Sequence, residues 1–267
     1  MTRLASRILA VLVVCAVLPV HVQAQTVQSV VDAMKAQQQH LENVETYILT
    51  TNLYTSYHKR VDSDTGPQYR SVTRMTGASN SPMSGMSGVS SPSQLAHLDR
   101  LAAHATYAGT ERVGDASCHV LEVRDPSALD EAYGDNLTSM TYFIDAEQHV
   151  PVRYHAEIAN NTEGPAPQSM TVTLTDYRTI DGLTIPFRME IKTDLGASLS
   201  EPERKQMETL QKQLEQMPEA QRKQMERMMG AEQLKQLQAM MSGKPTVIEV
   251  QEVSVNVPLP EGIFDGS

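Results

Sequence analysis

Cysteine is nearly absent: Cys15 and Cys118 are the only two in 267 residues. Cys15 lies inside an N-terminal segment that reads as removable, so the mature chain keeps one thiol and can close no internal disulfide. The setting of that thiol, Ala116-Ser117-Cys118-His119-Val120-Leu121, reads as the start of a strand, which makes Cys118 a small buried apolar residue rather than a nucleophile. Positive charge is also in deficit, with 22 Lys and Arg against 32 Asp and Glu. A chain this acidic lacks the cationic surface that phosphate backbones require, so nucleic acid is excluded as a partner.

Long apolar runs are missing except for one. Ile8 to Val20 follows Arg3 and Arg7 and precedes Val22-Gln23-Ala24, the layout of a secretory signal peptide cleaved after Ala24. The run is shorter than the roughly 20 residues of a membrane span, so no stable span is expected after cleavage. The residues around Cys15 do not form a lipidation box. A periplasmic location follows, with residues 1–24 as signal and 25–267 as one domain.

Catalytic signatures are lacking too. There is no phosphate loop and no nucleophile elbow, and the pairs His97 with His104 and His149 with His155 do not have zinc spacing. Asp62, Asp64 and Gly66 match a fragment of a calcium loop without its terminal glutamate, which leaves a hairpin turn as the reading. No catalytic residue, metal ligand or cofactor is implied, and the chain reads as a non-enzyme. A hydrolase whose site assembles only in the fold is the remaining enzymatic alternative.

What is present is alternation. Tyr142 and Ile144 alternate with Thr141 and Phe143, then Asp145 to His149 turns the chain into Val152, Tyr154, Ala156 and Ile158. Met170, Val172 and Leu174 interleave with threonines, and Asp181-Gly182 reverses the chain into Ile185, Phe187, Met189 and Ile191. Period two marks half-buried strands, and an Asp-Gly pair suits a two-residue hairpin turn. A strand is expected from Glu45 to about Tyr57, another through Tyr69, Ser71 and Thr73, and a hairpin from Tyr107 to Arg124. In the last strand, Thr246 to Val257, the phase changes between Val250 and Val253, which predicts a bulge near Gln251-Glu252. Gly262-Ile263-Phe264 is expected to tuck against the sheet.

Helical periodicity occurs in three places. Val27, Val30, Val31, Met34, Leu41 and Val44 form one stripe, and Leu95, Leu98 and Leu101 form a shorter one after a Ser/Gly/Met loop at 76–92. Residues 198–243 turn to Glu, Gln, Lys, Met and Leu, with Ser200 and Glu203 as a capping box, Pro218 as a break, and seven of the fifteen methionines. This predicts a helical insertion before the last strand, and unbranched methionine suits a surface that repacks around apolar partners.

Four stretches resemble the outer-membrane lipoprotein-sorting superfamily (LolA/LolB-like), which also includes a periplasmic regulator of envelope stress. They are Tyr107 to Val123, Tyr142 to Ile158, Tyr177 to Ile191 and Val253 to Phe264, in that order. The resemblance implies an α+β fold, an open curved antiparallel sheet or half-barrel covered by helices, whose hollow receives acyl chains. Asn43 to Tyr47 lacks the Gly-x-Phe-x-Gln pattern of the true carriers, and the insertion is not part of their core pattern.

The function expected is a periplasmic carrier that shelters a lipid acyl chain or a lipoprotein on the apolar concave face. Tyr142, Ile144, Met170, Val172, Leu174, Ile185, Phe187 and Met189 are the candidate wall, and Leu95, Leu98 and Leu101 the candidate lid. The alternative is a regulatory or scaffolding protein that binds another envelope protein through the Met-rich insertion.

Overall fold

The computed structural model describes residues 26–37, 39–63, 66–75, 98–130, 133, 137–158, 168–194 and 244–265, together with single positions between 205 and 223. The expected signal peptide, the loop at 76–92 and Leu95 lie outside the described residues, as does most of the insertion.

Ten strands form one antiparallel sheet: β1 Thr46–Thr51, β2 Tyr54–Ser63, β3 Gly66–Met75, β4 Thr106–Val113, β5 Ala116–Val123, β6 Leu137–Asp145, β7 Pro151–Ile158, β8 Gln168–Ile180, β9 Leu183–Asp194 and β10 Thr246–Val255. Their order is β3-β2-β1-β10-β9-β8-β7-β6-β5-β4, so the sheet is open and β3 and β4 are its two edges. Among the described residues, the helices α1 Val27–Gln37 and α2 Leu98–His104 accompany it. This is the expected α+β half-barrel class.

Local chemistry explains the elements. Thr26 starts α1, its hydroxyl accepting the Ser29 amide at 3.2 Å while Ser29 Oγ accepts the Thr26 amide at 3.1 Å. Asp181 and Gly182 both take positive φ, 49° and 88°, the conformation of the expected two-residue turn between β8 and β9. At Gly182 a Cβ would stand 3.2 Å from His40 Cβ and from the His40 carbonyl oxygen. Glycine therefore also allows the short 3-10 helix Gln39–Asn43 to lie directly on that turn. Ser63 pairs with Gly66, so β2 and β3 are antiparallel neighbours paired to their adjoining ends. In β10, Val250 pairs with Thr51 and Glu252 with Thr50, which leaves Gln251 as the bulge that the phase change announced.

One strand expectation needs correcting. Glu45 to Tyr57 is not one strand: β1 ends at Thr51 and β2 begins at Tyr54, folded back so that Thr50 pairs with Thr55. The Thr51 hydroxyl accepts the amides of Leu53 and Tyr54 at 3.1 and 3.0 Å. Asn52 reaches into β10, where its Oδ1 accepts the Glu249 amide at 3.0 Å and its Nδ2 donates to the Val247 carbonyl at 3.2 Å. The turn is made by side chains answering backbone groups, some about 200 residues away in sequence, and carries no Gly or Pro.

Strand alternation gives the sheet one continuous apolar face. In β9, Leu183, Ile185, Phe187, Met189 and Ile191 share a phase. In β10 the bulge keeps Ile248 and Val250 on the same side as Val253 and Val255, because the latter two pair with Leu49 and Tyr47 and Val250 with Thr51. The opposite face carries a smaller cluster of Val113, Cys118, Val120 and Phe143. Cys118 is fully buried there, and burial raises its thiol above the usual range, so it serves as packing. At the C-terminus Ile263 is buried, and Arg70 lies over the Phe264 ring at 5.5 Å.

Candidate apolar binding face

The apolar face divides along the strands into two clusters. The first gathers Val30, Val31 and Met34 of α1, Leu98 and Leu101 of α2, and Leu121, Val123, Met140, Tyr142, Ile144, Tyr154, Ala156, Met170, Val172, Leu174, Met189, Ile191 and Ile248 from the sheet. The second contains Val44, Tyr47, Leu49, Leu183 and Ile185, with Leu41, Phe187 and the β10 valines packed against it.

Eight of the eleven candidate residues, Tyr142, Ile144, Met170, Val172, Leu174, Met189, Leu98 and Leu101, come together in the first cluster. Ile185 and Phe187 share their phase yet sit in the second. Period two assigns a side chain to a face and says nothing of how far along the strand it lies, which is why the sequence merged them.

Further members carried the same signal. Tyr154 and Ala156 alternate in β7 as clearly as Tyr142 does in β6, and α1 supplies the larger part of the cover. Tyr177 was missed for a different reason. Asp176 takes φ 56°, a break in the regular strand, and the Tyr177 hydroxyl donates to the Pro151 carbonyl while its ring packs on the first cluster.

The first cluster is greasy with phenols set into it. The rings of Tyr142 and Tyr154 meet edge to face at 5.2 Å. Burial pushes both hydroxyls well above the usual phenol range, and does the same to Tyr177, so all three stay neutral at any ordinary pH. Neutral phenols can hydrogen-bond without bringing charge onto an apolar surface. At one end, Tyr107 and His119 approach, hydroxyl to Nδ1 at 3.2 Å, and burial lowers the His119 pKa with help from His149 while Asp145 opposes it. Among the described residues no three His, Cys, Asp or Glu side chains gather as a metal site, and no helix is long and apolar enough to cross a membrane.

Cover is attached differently over the two clusters. Between α1 and α2 the described polar link is the ion pair of Lys35 with Asp99, in which Lys35 is partly and Asp99 largely exposed. Over the second cluster, Tyr69 of β3 donates to the Val44 carbonyl at 2.7 Å and the Leu41 carbonyl at 3.2 Å, and Arg60 donates to the Glu42 carbonyl. The Tyr69 hydroxyl is pushed up to about 12, chiefly by burial.

Sequence comparison finds no matching family model and no matching curated protein. Among solved structures the chain is similar to a DUF1329 family protein of Desulfovibrio piger, with TM-score 0.45 and 12% identity over 91% of this chain and 98% of that one. It is also similar to an outer membrane lipoprotein-sorting protein domain of Vibrio parahaemolyticus, with TM-score 0.45 and 10% identity over 90% and 97%. A third, a LolA superfamily protein of Nitrosomonas europaea, gives TM-score 0.42 and 10% identity over 90% and 98%.

Proposed function

We propose that this chain is a periplasmic binding or carrier protein, exported with residues 1–24 as its signal, that shelters an acyl chain or a lipid-anchored protein on the first apolar cluster. The observation that carries the reading is a mismatch of scale. One apolar face is built from strands of a ten-stranded sheet, whereas the described helices packed on its first cluster are an 11-residue and a 7-residue segment. Short helices tied to each other by a solvated ion pair are a cover that can lift, since such a pair contributes only about 0–1 kcal/mol. Lifting α1 and α2 would expose Val172, Leu174, Met170 and Met189, and a guest chain would take the place of the helices against these side chains. Specificity for lipoproteins over free lipids is not built into this reading.

Native mass spectrometry of the purified mature protein, followed by solvent extraction, tests it. A mass above that of the polypeptide, with acyl lipid in the extract, is the expected result. A bare polypeptide mass, together with no uptake of a fluorescent fatty-acyl probe, counts against it.

A second reading has its own observation. The described positions of the insertion, among them Lys205, Thr209, Lys212, Glu219, Gln221 and Lys223, are exposed, and the Gln216 amide bonds to the Lys212 carbonyl in helical fashion at 2.9 Å. Exposed helical positions suit capture of another envelope protein. Deleting 198–243 separates the two: the carrier reading expects acyl binding to survive, and the scaffolding reading expects partner capture to fail.

A further inference from the structure

Beside the second cluster the apolar face holds a polar side chain that carries no sequence signature. His58 of β2 is 2% exposed, and its ring lies flat against Tyr47, centroids 4.0 Å apart and planes 7° from parallel. Tyr47 is itself fixed edge-on by Tyr69 at 5.2 Å. On the other side, His58 Nε2 stands 2.9 Å from Ser56 Oγ. Stack and hydrogen bond together hold the ring in one orientation. In that orientation Nδ1 is buried and has no hydrogen-bond partner among the described residues.

The proton inventory assigns that nitrogen a role. If Nε2 carried the proton, it would donate to Ser56, and the serine's own proton and the Nδ1 lone pair would both be left over. If Ser56 Oγ donates to Nε2, the serine is satisfied and a single group is left, the Nδ1–H donor. A fixed, buried donor with no acceptor is costly in a native fold unless something else supplies the acceptor. The neighbouring edge is permissive: Ser71, the cross-strand partner of His58 on β3, is short and exposed, and Thr73 beyond it pairs with Ser56.

We infer that His58 Nδ1 is the polar anchor of the guest, donating to a neutral carbonyl oxygen, such as that of an acyl ester, at the head of a chain lying on the apolar face; this rests on the carrier reading above. Burial holds the imidazole neutral, its pKa lowered to about 3, and the same burial penalises a carboxylate or phosphate brought beside it. A neutral acceptor takes the hydrogen bond without either cost. The head would enter over the β3 edge past Ser71, and the apolar tail would run past Leu49 toward Tyr54 and Ile248, which belong to the helix-covered first cluster.

A matched pair of probes tests it: a pyrene-labelled fatty acid methyl ester and the pyrene-labelled alkane of the same length, titrated into the full mature chain. The ester is expected to bind about tenfold more tightly, the worth of one hydrogen bond made to an otherwise unpaired buried group. His58→Phe keeps a ring for the Tyr47 stack and is expected to bind both probes equally, at the alkane's affinity. In the wild-type protein, the Nδ1 resonance of His58 is expected to move on adding ester and to stay with alkane, a readout independent of whether the variant folds. Equal wild-type affinities, an ester preference that survives His58→Phe, or an unmoved resonance overturns the anchor alone. Binding of neither probe overturns the carrier reading and the anchor with it.

Discussion

The two halves of the apolar face share β9 and β10 and are closed by different means. Over the first cluster, α1 and α2 are held by side-chain packing, the Lys35–Asp99 ion pair and one hydrogen bond from Arg100 of α2 to the Leu129 carbonyl. Over the second, side chains of β2 and β3 donate to backbone carbonyls of Leu41, Glu42 and Val44, and the rings of His58, Tyr47 and Tyr69 interlock beneath. Side-chain packing such as that of α1 can be exchanged for packing against a guest, whereas backbone carbonyls that lose their donors must find others. The difference teaches which half can open: the helix-covered one.

The largest way to break the comparison is at Tyr47, fully buried in the second cluster. Tyr47→Ala is expected to lower stability by about 3–5 kcal/mol, measured by urea unfolding, because it removes the ring that both His58 and Tyr69 pack on. A loss no larger than that of an exposed substitution would show that this half is as loose as the other.

Acid sharpens the contrast next. His58 is held near pKa 3 in the fold and returns to about 6.5 when unfolded, so the unfolded chain binds the extra proton. Its contribution to stability is therefore complete above about pH 6.5 and is lost as pH falls toward 3, with a slope of up to about 1.4 kcal/mol per pH unit. Unfolding free energies of wild type and His58→Phe across that range check this, and the variant's curve should be flatter.

Removing one hydroxyl comes third. Tyr69→Phe deprives the Val44 and Leu41 carbonyls of their donor and is expected to cost about 1–2 kcal/mol. Hydrogen exchange should report the loss at the short helix Gln39–Asn43 rather than in α2. In the unmutated protein the same measurement should find α1 and α2 amides exchanging at lower free energy than those of β8 and β9. The smallest effect belongs to Lys35→Ala, about 0–1 kcal/mol for a solvated pair with Asp99. A larger loss there would mean that the helix cover is fastened after all.

Much of the architecture could be read before any coordinates. The Asp181-Gly182 turn and the Gln251 bulge depend on backbone needs that one or two residues announce locally, and both stand where the sequence placed them. The Asn52-Leu53 turn was illegible because its partners in β10 are far along the chain. The site was legible as a face and not as a place: alternation put Ile185 and Met189 on one side, and only the fold shows them in different clusters. His58 was illegible altogether. It lies in a polar stretch from Thr55 to Lys59, and its burial comes from Tyr47 of another strand.

The placement of β10 has a consequence for how the molecule is made. It is the last strand in the chain and yet lies between β1 and β9, so the hairpins from the two ends of the sequence share no sheet until it inserts. A folding chain can assemble β4 to β9 as a meander while β1, β2 and β3 wait as a separate ribbon. The closing seam forms only after Thr246 to Val255 has come through, a long-range pairing of the kind that slows folding. Until then two strand margins, along β1 and β9, stay open to wrong partners, which makes that interval the one in which mispairing is most costly.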